Sequence, residues 1–262
     1  MSMLSGTARR YAIAYQTIVI KEVARFLRIW VQTILPAVIT MTLYFLIFGN
    51  LIGPRIGEME GFRYVQYIAP GIIMMSVITN SYANVVSSFF GSKFQKHIEE
   101  MLVAPIPNWI IMAGFITGGV ARGLCVGIVV TAVALFFTDL QVHSLTVMAS
   151  TILLTAMVFS LGGLINGLFA RNFDDTSIIP TFVLTPLTYL GGVFYSINLL
   201  PETWQTVSFG NPILYMVNAF RYGVLGVSDI PLPAAYGVIL LFIAALWWLG
   251  LRLFNQGTGI KT

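Results

Sequence analysis

The chain has 262 residues, 57% of them hydrophobic and only 9% charged, with a formal net charge of +4. Soluble domains carry about 25% charged residues, so a water-soluble globular protein is excluded, and the basic balance calls for anionic lipid rather than nucleic acid as its partner. The single cysteine, Cys125, excludes an intrachain disulfide.

Six apolar runs organise the chain into one membrane domain over 1–262. We number them run one (31–52), run two (66–90), run three (109–137), run four (144–169), run five (177–196) and run six (233–254). Each meets or exceeds the ~20 residues a helix needs to cross a ~30 Å hydrocarbon core. The fold class expected is therefore all-α and polytopic, with six transmembrane helices.

The cations are distributed unevenly. With the N-terminus in the cytoplasm, Arg9, Arg10, Lys21, Arg25, Arg28, Lys93, Lys96, Arg171, Arg252 and Lys261 all fall inside. Arg55, Arg63 and Arg221 fall outside, and Arg122 lies within run three. The acids divide evenly, so only the cations are biased, as the positive-inside rule requires. Both termini are expected in the cytoplasm. The polar, basic N-terminus and the long first run do not fit a cleavable signal peptide.

Before run one, residues 5–30 are too charged to span. Tyr11, Tyr15, Val19, Val23, Phe26 and Trp30 recur at helical spacing, and Lys21, Arg25 and Arg28 take the other face. That pattern predicts a helix lying in the membrane interface. The alternative is a helix packed on protein with a solvated basic face.

Between runs two and three, residues 92–104 predict a short amphipathic helix. Ser92 with Gln95 reads as a capping box. Phe94, Ile98, Met101 and Leu102 form one apolar face; Lys93, Lys96, Glu99 and Glu100 are the polar remainder. Pro105 and Pro107 stop it. Such a face suits docking on a partner; a plain interfacial turn is the alternative.

Run three carries Gly114 and Gly118, then Gly119, Gly123 and Gly127, and run four carries Gly163 and Gly167. Small residues at this spacing let helices approach closely in lipid. Packing within the bundle is preferred here to a dimer seam. Arg122 is the one ionisable group within a run. It either contacts an anionic substrate head group or is satisfied structurally, by snorkelling or by polar groups such as Asn166.

After run five the connection is external yet apolar. Residues 199–226 predict two short helices, with Asn211 capping the second and Pro212 at its first position. Neither is long enough to cross, which predicts a re-entrant hairpin; an external cap is the alternative. Trp204, Phe209, Tyr215 and Phe220 are the expected outer gate, since apolar constrictions exclude water. Hydroxyl-bearing faces on run one (Thr33, Thr40, Thr42, Tyr44) and run five (Thr181, Thr185, Thr188, Tyr189) are expected at a two-fold seam. Polar groups at that depth avoid lipid.

The catalytic vocabulary is sparse. None of Lys21, Lys93, Lys96 and Lys261 follows glycine, so no phosphate-binding loop is present. His97 and His143 stand outside any zinc-peptidase frame, and no carboxylate pair lies within a run. No catalytic, cofactor-binding or metal site is expected, and the chain is not expected to be an enzyme.

Several stretches together resemble one family, the integral permeases of type-2 ABC exporters, in a bacterial inner-membrane subgroup. They are Arg28-Ile-Trp-Val-Gln-Thr, Thr40-Met-Thr-Leu-Tyr-Phe, Ala69-Pro-Gly-Ile, Phe89-Phe-Gly-Ser-Lys-Phe and Glu99-Glu-Met-Leu-Val-Ala-Pro. They continue with Thr181 through Ser196, Asn211-Pro-Ile and Phe220-Arg-Tyr-Gly. The resemblance covers nearly the whole chain. It implies a half-transporter of the inner membrane that pairs with a second copy of itself and with two copies of a separate ATPase. ATP and magnesium would be bound there and not by this chain. It further implies export of an amphiphile, drug or lipid-linked substrate, and a coupling role for Lys93, Phe94, His97, Ile98, Glu99, Glu100, Met101 and Leu102. The rival reading is a secondary carrier or channel, which intramembrane carboxylates or an inverted repeat would favour.

Overall fold

A computed structural model describes residues 2–259, with side chains from residue 6 onward. Lys261, counted above among the cytoplasmic cations, lies outside the described residues. Five helices are long and apolar enough to cross a membrane: Trp30–Ile56, Tyr64–Phe94, Asn108–Ala134, Leu145–Phe169 and Leu232–Gln256. They correspond to runs one, two, three, four and six.

Run five behaves differently. Asp175–Ile179, Pro180–Leu184 and Thr185–Tyr189 abut as one helical stretch with wide π-type turns in its middle. The chain then turns at Leu190–Gly192, where Gly192 has φ +69. A helix over 175–189 extends about 22 Å, short of a ~30 Å core. Pro180 and Pro186 each remove a backbone donor, and Gly192 admits the left-handed turn. The helix therefore stops well before residue 196.

The helix of run two is the hub. It is the most buried of the five and packs on the helices of runs three and four and on a shorter helix, Pro212–Leu225. Its glycine, Gly71, lies under the turn that ends the 175–189 stretch: a Cβ there would strike the Val193 carbonyl oxygen and sit 2.8 Å from the Val193 Cα. The glycine stripe of run three is consumed inside the bundle. Gly123 takes Ser81, and Gly127 takes Val77 and Ile152. Gly114 and Gly118 seat Ile18 and Glu22 of the N-terminal helix Ser2–Arg28.

That N-terminal helix is thus packed on protein along its middle. Its buried file is Ile18, Glu22 and Phe26, and Tyr15 shares a hydroxyl bond with Thr117 at 2.8 Å. The expected aromatic stripe is rotated relative to this file. Trp30 belongs to the next helix and is exposed.

The connection of runs two and three also departs from expectation. The run-two helix continues through Ser92 to Phe94, so Ser92 starts no helix. The chain reverses at Gln95–Lys96, where Lys96 takes φ +62, and a short helix then covers His97–Val103. One small β-ribbon was not foreseen: Glu58–Met59 pairs with Phe62–Arg63 in antiparallel register. Glu60 at φ +53 and Gly61 at φ +80 make its tip, a conformation suited to a two-residue hairpin.

The runs alternate between two ends of the bundle. At one end lie Ser92, Leu168 and Asn255, linked through Lys21 to Ser92, Lys93 to Leu168, and Asn108 to Asn255. At the other, Gln66 reaches Asp139 and His143 reaches Val224. Most cations collect at the first end.

Candidate functional site

A groove of about 330 Å³ runs between the helices of runs one, two and three and the 175–189 stretch. Seven of the nine residues expected at the seam or substrate path line it: Thr33, Thr40, Tyr44, Arg122, Thr185, Thr188 and Tyr189; Thr42 does not. Thr181 lies outside it, exposed one face away. Pro36, Ala37, Met41 and Met75 supply apolar wall.

Charge sits at one end of the groove and hydroxyls at the other. Arg122 Nη2 donates to Asn80 Oδ1 at 3.0 Å and more weakly to the Thr33 carbonyl at 3.5 Å. Its Nε is buried without a partner. Among the described residues no carboxylate pairs with it; the ion pair that forms is Arg25 with Glu22 at 3.4 Å. Asn166, the partner expected from sequence, instead donates to the Thr176 carbonyl. At the far end the hydroxyls of Tyr44 and Tyr189 meet at 2.8 Å, joining run one to the 175–189 stretch. Phe194 stacks on Tyr189 and Phe48 behind them.

The threonines are less available than the sequence implied. Thr33 donates to the Phe26 carbonyl at 3.1 Å, closing the N-terminal helix. Thr188 donates to the Leu184 carbonyl at 2.6 Å and Thr185 to Pro180 at 2.9 Å. Both bonds fold back on the helix's own carbonyls, and the Thr185 amide also donates to Pro180, so the hydroxyls are spent within their own helix.

The short helix between runs two and three turns its apolar face to its own bundle. Ile98 is 1% exposed and joins the cluster of Ile18, Phe89, Ile111 and Phe115. Met101 and Leu102 pack at its margin. This corrects the expectation that Ile98 and its neighbours form a free docking face. His97, Glu99 and Glu100 face outward, and Val103 is 87% exposed. Lys93 and Phe94 lie on the end of the run-two helix, not on the short helix. Lys93 Nζ donates to the carbonyls of Leu168 at 2.8 Å and Ala170 at 2.7 Å, capping the run-four helix. Phe94 is exposed beside Phe173.

After run five, helix Glu202–Phe209 and helix Pro212–Leu225 form as expected, with Asn211 Oδ1 accepting from the Ile213 amide at 3.0 Å. Their exposures differ. Trp204 and Phe209 are exposed, and the Tyr215 hydroxyl donates to the Phe209 carbonyl at 2.9 Å. Phe220 is buried in the main core, which removes it from any gate. Arg221, counted above among the external cations, is fully buried. It lies 4.0 Å over the Tyr67 ring and donates to the Gly192 carbonyl at 2.6 Å.

Sequence reasoning missed three features. Glu22 is buried against Gly118, a seat signalled only by its position midway between Ile18 and Phe26. Asn80 and Asn84, one helical turn apart on run two, each hold an arginine: Arg122 and Arg25. Asp229 accepts from Ser196, the Ile197 amide and Asn198, tying the loop after run five to the loop before run six. No local motif marks that link.

The ABC-2 type transporter family matches residues 13–225 of this chain. The chain is similar to the inner membrane transport permease YadH of Escherichia coli strain K12, at 61% identity over 252 residues, covering 96% of this chain and 98% of that one. It is also similar to nodulation protein J of Rhizobium leguminosarum bv. trifolii, at 25% identity over 211 residues, covering 79% and 80%. With a family match over most of its length and a near full-length relative, this chain belongs to the ABC-2 type transporter family.

Proposed function

We propose that this chain is the membrane subunit of an ATP-driven exporter, moving an amphiphilic substrate from the cytoplasm or inner leaflet outward. The observation that carries the reading is the groove, which gathers an arginine, a tyrosine pair and apolar wall from four separated segments. The family supports the transport role. The relative named as an inner membrane permease supports the same location.

In this reading the cation-rich end of the bundle is cytoplasmic, as are both termini. The 175–189 stretch serves as a shortened fifth crossing, completed by the turn at Leu190–Gly192. Helices Glu202–Phe209 and Pro212–Leu225 form a re-entrant hairpin in the outer half. Trp204, Phe209 and Tyr215 close the route there.

Two copies pair across the exposed faces of run one and the 175–189 stretch. The open side of each groove then faces a two-fold seam. A separate ATPase docks on the outward face of His97–Val103. Glu99, Glu100 and Val103 are its first contacts, and the buried Ile98 holds that helix to the bundle. Alternating access follows when ATPase closure pushes this helix and, through Ile98 and Phe89, the run-two hub.

The test is reconstitution of this chain with its cognate ATPase in lipid vesicles. ATP hydrolysis that rises on addition of the permease, with outward movement of a fluorescent amphiphile, is the expected result. A carrier or channel would move solute without the ATPase.

A further inference from the structure

We infer that the groove selects anionic amphiphiles, with Arg122 as the residue that receives the acidic head group. The proposal rests on the reading of this groove as the substrate path and names the chemistry of its occupant.

Four observations lead there. Arg122 is the charged group of the groove, and its other lining side chains are neutral. Its contacts are to neutral oxygens: the Asn80 side-chain amide and the Thr33 carbonyl. Its Nε remains without a partner although buried. The carboxylate in this region, Glu22, pairs with Arg25. A guanidinium held by neutral dipoles in a partly desolvated place keeps its full charge to offer. A planar fork of donors matches carboxylate or phosphate oxygens.

Depth agrees with a head group. The run-three helix Asn108–Ala134 spans about 40 Å, roughly 10 Å more than the hydrocarbon core. Arg122 stands about 21 Å along it from Asn108. If the overshoot lies at the Asn108 end, where the N-terminal helix packs on Gly114 and Gly118, Arg122 falls about 10 Å below the core surface. A head group drawn in from the inner leaflet would meet it there. Its chain would lie along Ala37, Met41 and Met75 toward the tyrosine pair.

The experiment measures binding to the permease alone, in phosphatidylcholine nanodiscs. Failure of head-group recognition is thereby separated from failure of ATPase coupling. The probe is dansyl-aminoundecanoic acid, compared with its methyl ester. The acid is expected to bind at least tenfold more tightly than the ester. Arg122→Gln should weaken acid binding about tenfold and leave the ester unchanged, and Arg122→Lys should keep much of the preference. Asn80→Asp keeps the arginine but places a carboxylate against it; the acid should lose its preference here too, which decides the matter if Arg122→Gln fails to fold. Dodecyl phosphate should displace the probe, and inorganic phosphate at the same concentration should not. An acid preference that survives Arg122→Gln or Asn80→Asp overturns the proposal. So does an equal loss for acid and ester, or displacement by inorganic phosphate.

Discussion

Ile98→Ala is the most informative single perturbation of the coupling helix, because burial assigns this residue to the bundle. At 1% exposure it sits in the cluster with Phe89, Ile111 and Phe115. Truncating a buried Ile to Ala costs about 2–5 kcal/mol, from lost transfer and a residual cavity. For a protein of this size that lowers the melting midpoint by on the order of 10 °C. Glu100→Arg is the matched control on the outward face. A surface change of that kind moves stability by about 0.5 kcal/mol or less. If it meets the rim of the ATPase, charge reversal costs about 1–3 kcal/mol of binding, roughly fivefold to 150-fold in affinity. The assay pairs thermal unfolding of the purified permease with capture of its ATPase on a tagged permease. Ile98→Ala should lower the melting point, and Glu100→Arg should lower capture at an unchanged melting point. The reasoning fails if Ile98→Ala abolishes capture without a stability change while Glu100→Arg leaves capture intact.

Further outcomes follow from close contacts. Gly118→Leu places side-chain atoms where Glu22 Cβ lies 2.5 Å from the position of an added Cβ; overpacking of about 1–3 kcal/mol should lift the N-terminal helix and speed proteolysis within residues 6–28. Gly71→Ala should push the turn at Val193 away and lower the melting point, as read by fluorescence-detected unfolding. Lys93→Met removes two bonds to the end of the run-four helix; at about 1.5 kcal/mol for a charge-assisted bond near the surface, hydrogen exchange should quicken at Leu168–Ala170. Tyr44→Phe breaks the link to Tyr189 and should loosen the 175–189 stretch, raising its labelling by a thiol reagent at an introduced Thr181→Cys.

What was legible in the sequence was whatever depends on length, period and local cap. Five of the apolar runs became long helices because twenty or more apolar residues in lipid have no other way to satisfy their backbone. Asn211–Pro212 started a helix because the cap is local chemistry. The glycine stripe predicted close packing, although it could not say that Gly114 and Gly118 seat the N-terminal helix. Rotation was harder. The face of residues 97–103 is apolar whether it meets a partner or its own bundle, and only the burial of Ile98 in the cluster that also holds Phe89 decides. The premature end of run five came from Pro180, Pro186 and Gly192 acting together against strong hydrophobicity. Arg221 illustrates the largest gap. A charged residue on a short helix reads as solvent-facing, and its partners, the Tyr67 ring and the Gly192 carbonyl, come from distant segments. Hydroxyl content picked out faces that line the groove, but the bonds of Thr33, Thr185 and Thr188 to backbone carbonyls leave Arg122 and the tyrosine pair as its available chemistry.

Two copies close a route between run one and the 175–189 stretch in the proposed transporter, and disulfide crosslinking in the membrane tests this pairing most directly. In a Cys125→Ser background, single cysteines at Ile39, Leu43 and Tyr189 probe the exposed rim of the groove. Leu240 and Leu241 on the exposed face of the run-six helix serve as comparison. Mild oxidation should convert the rim variants to covalent dimers, and coexpressed ATPase with ATP should alter the yield. Dimers that form through Leu240 or Leu241 and not through Ile39, Leu43 or Tyr189 would place the seam on the opposite side of the bundle and contradict the account.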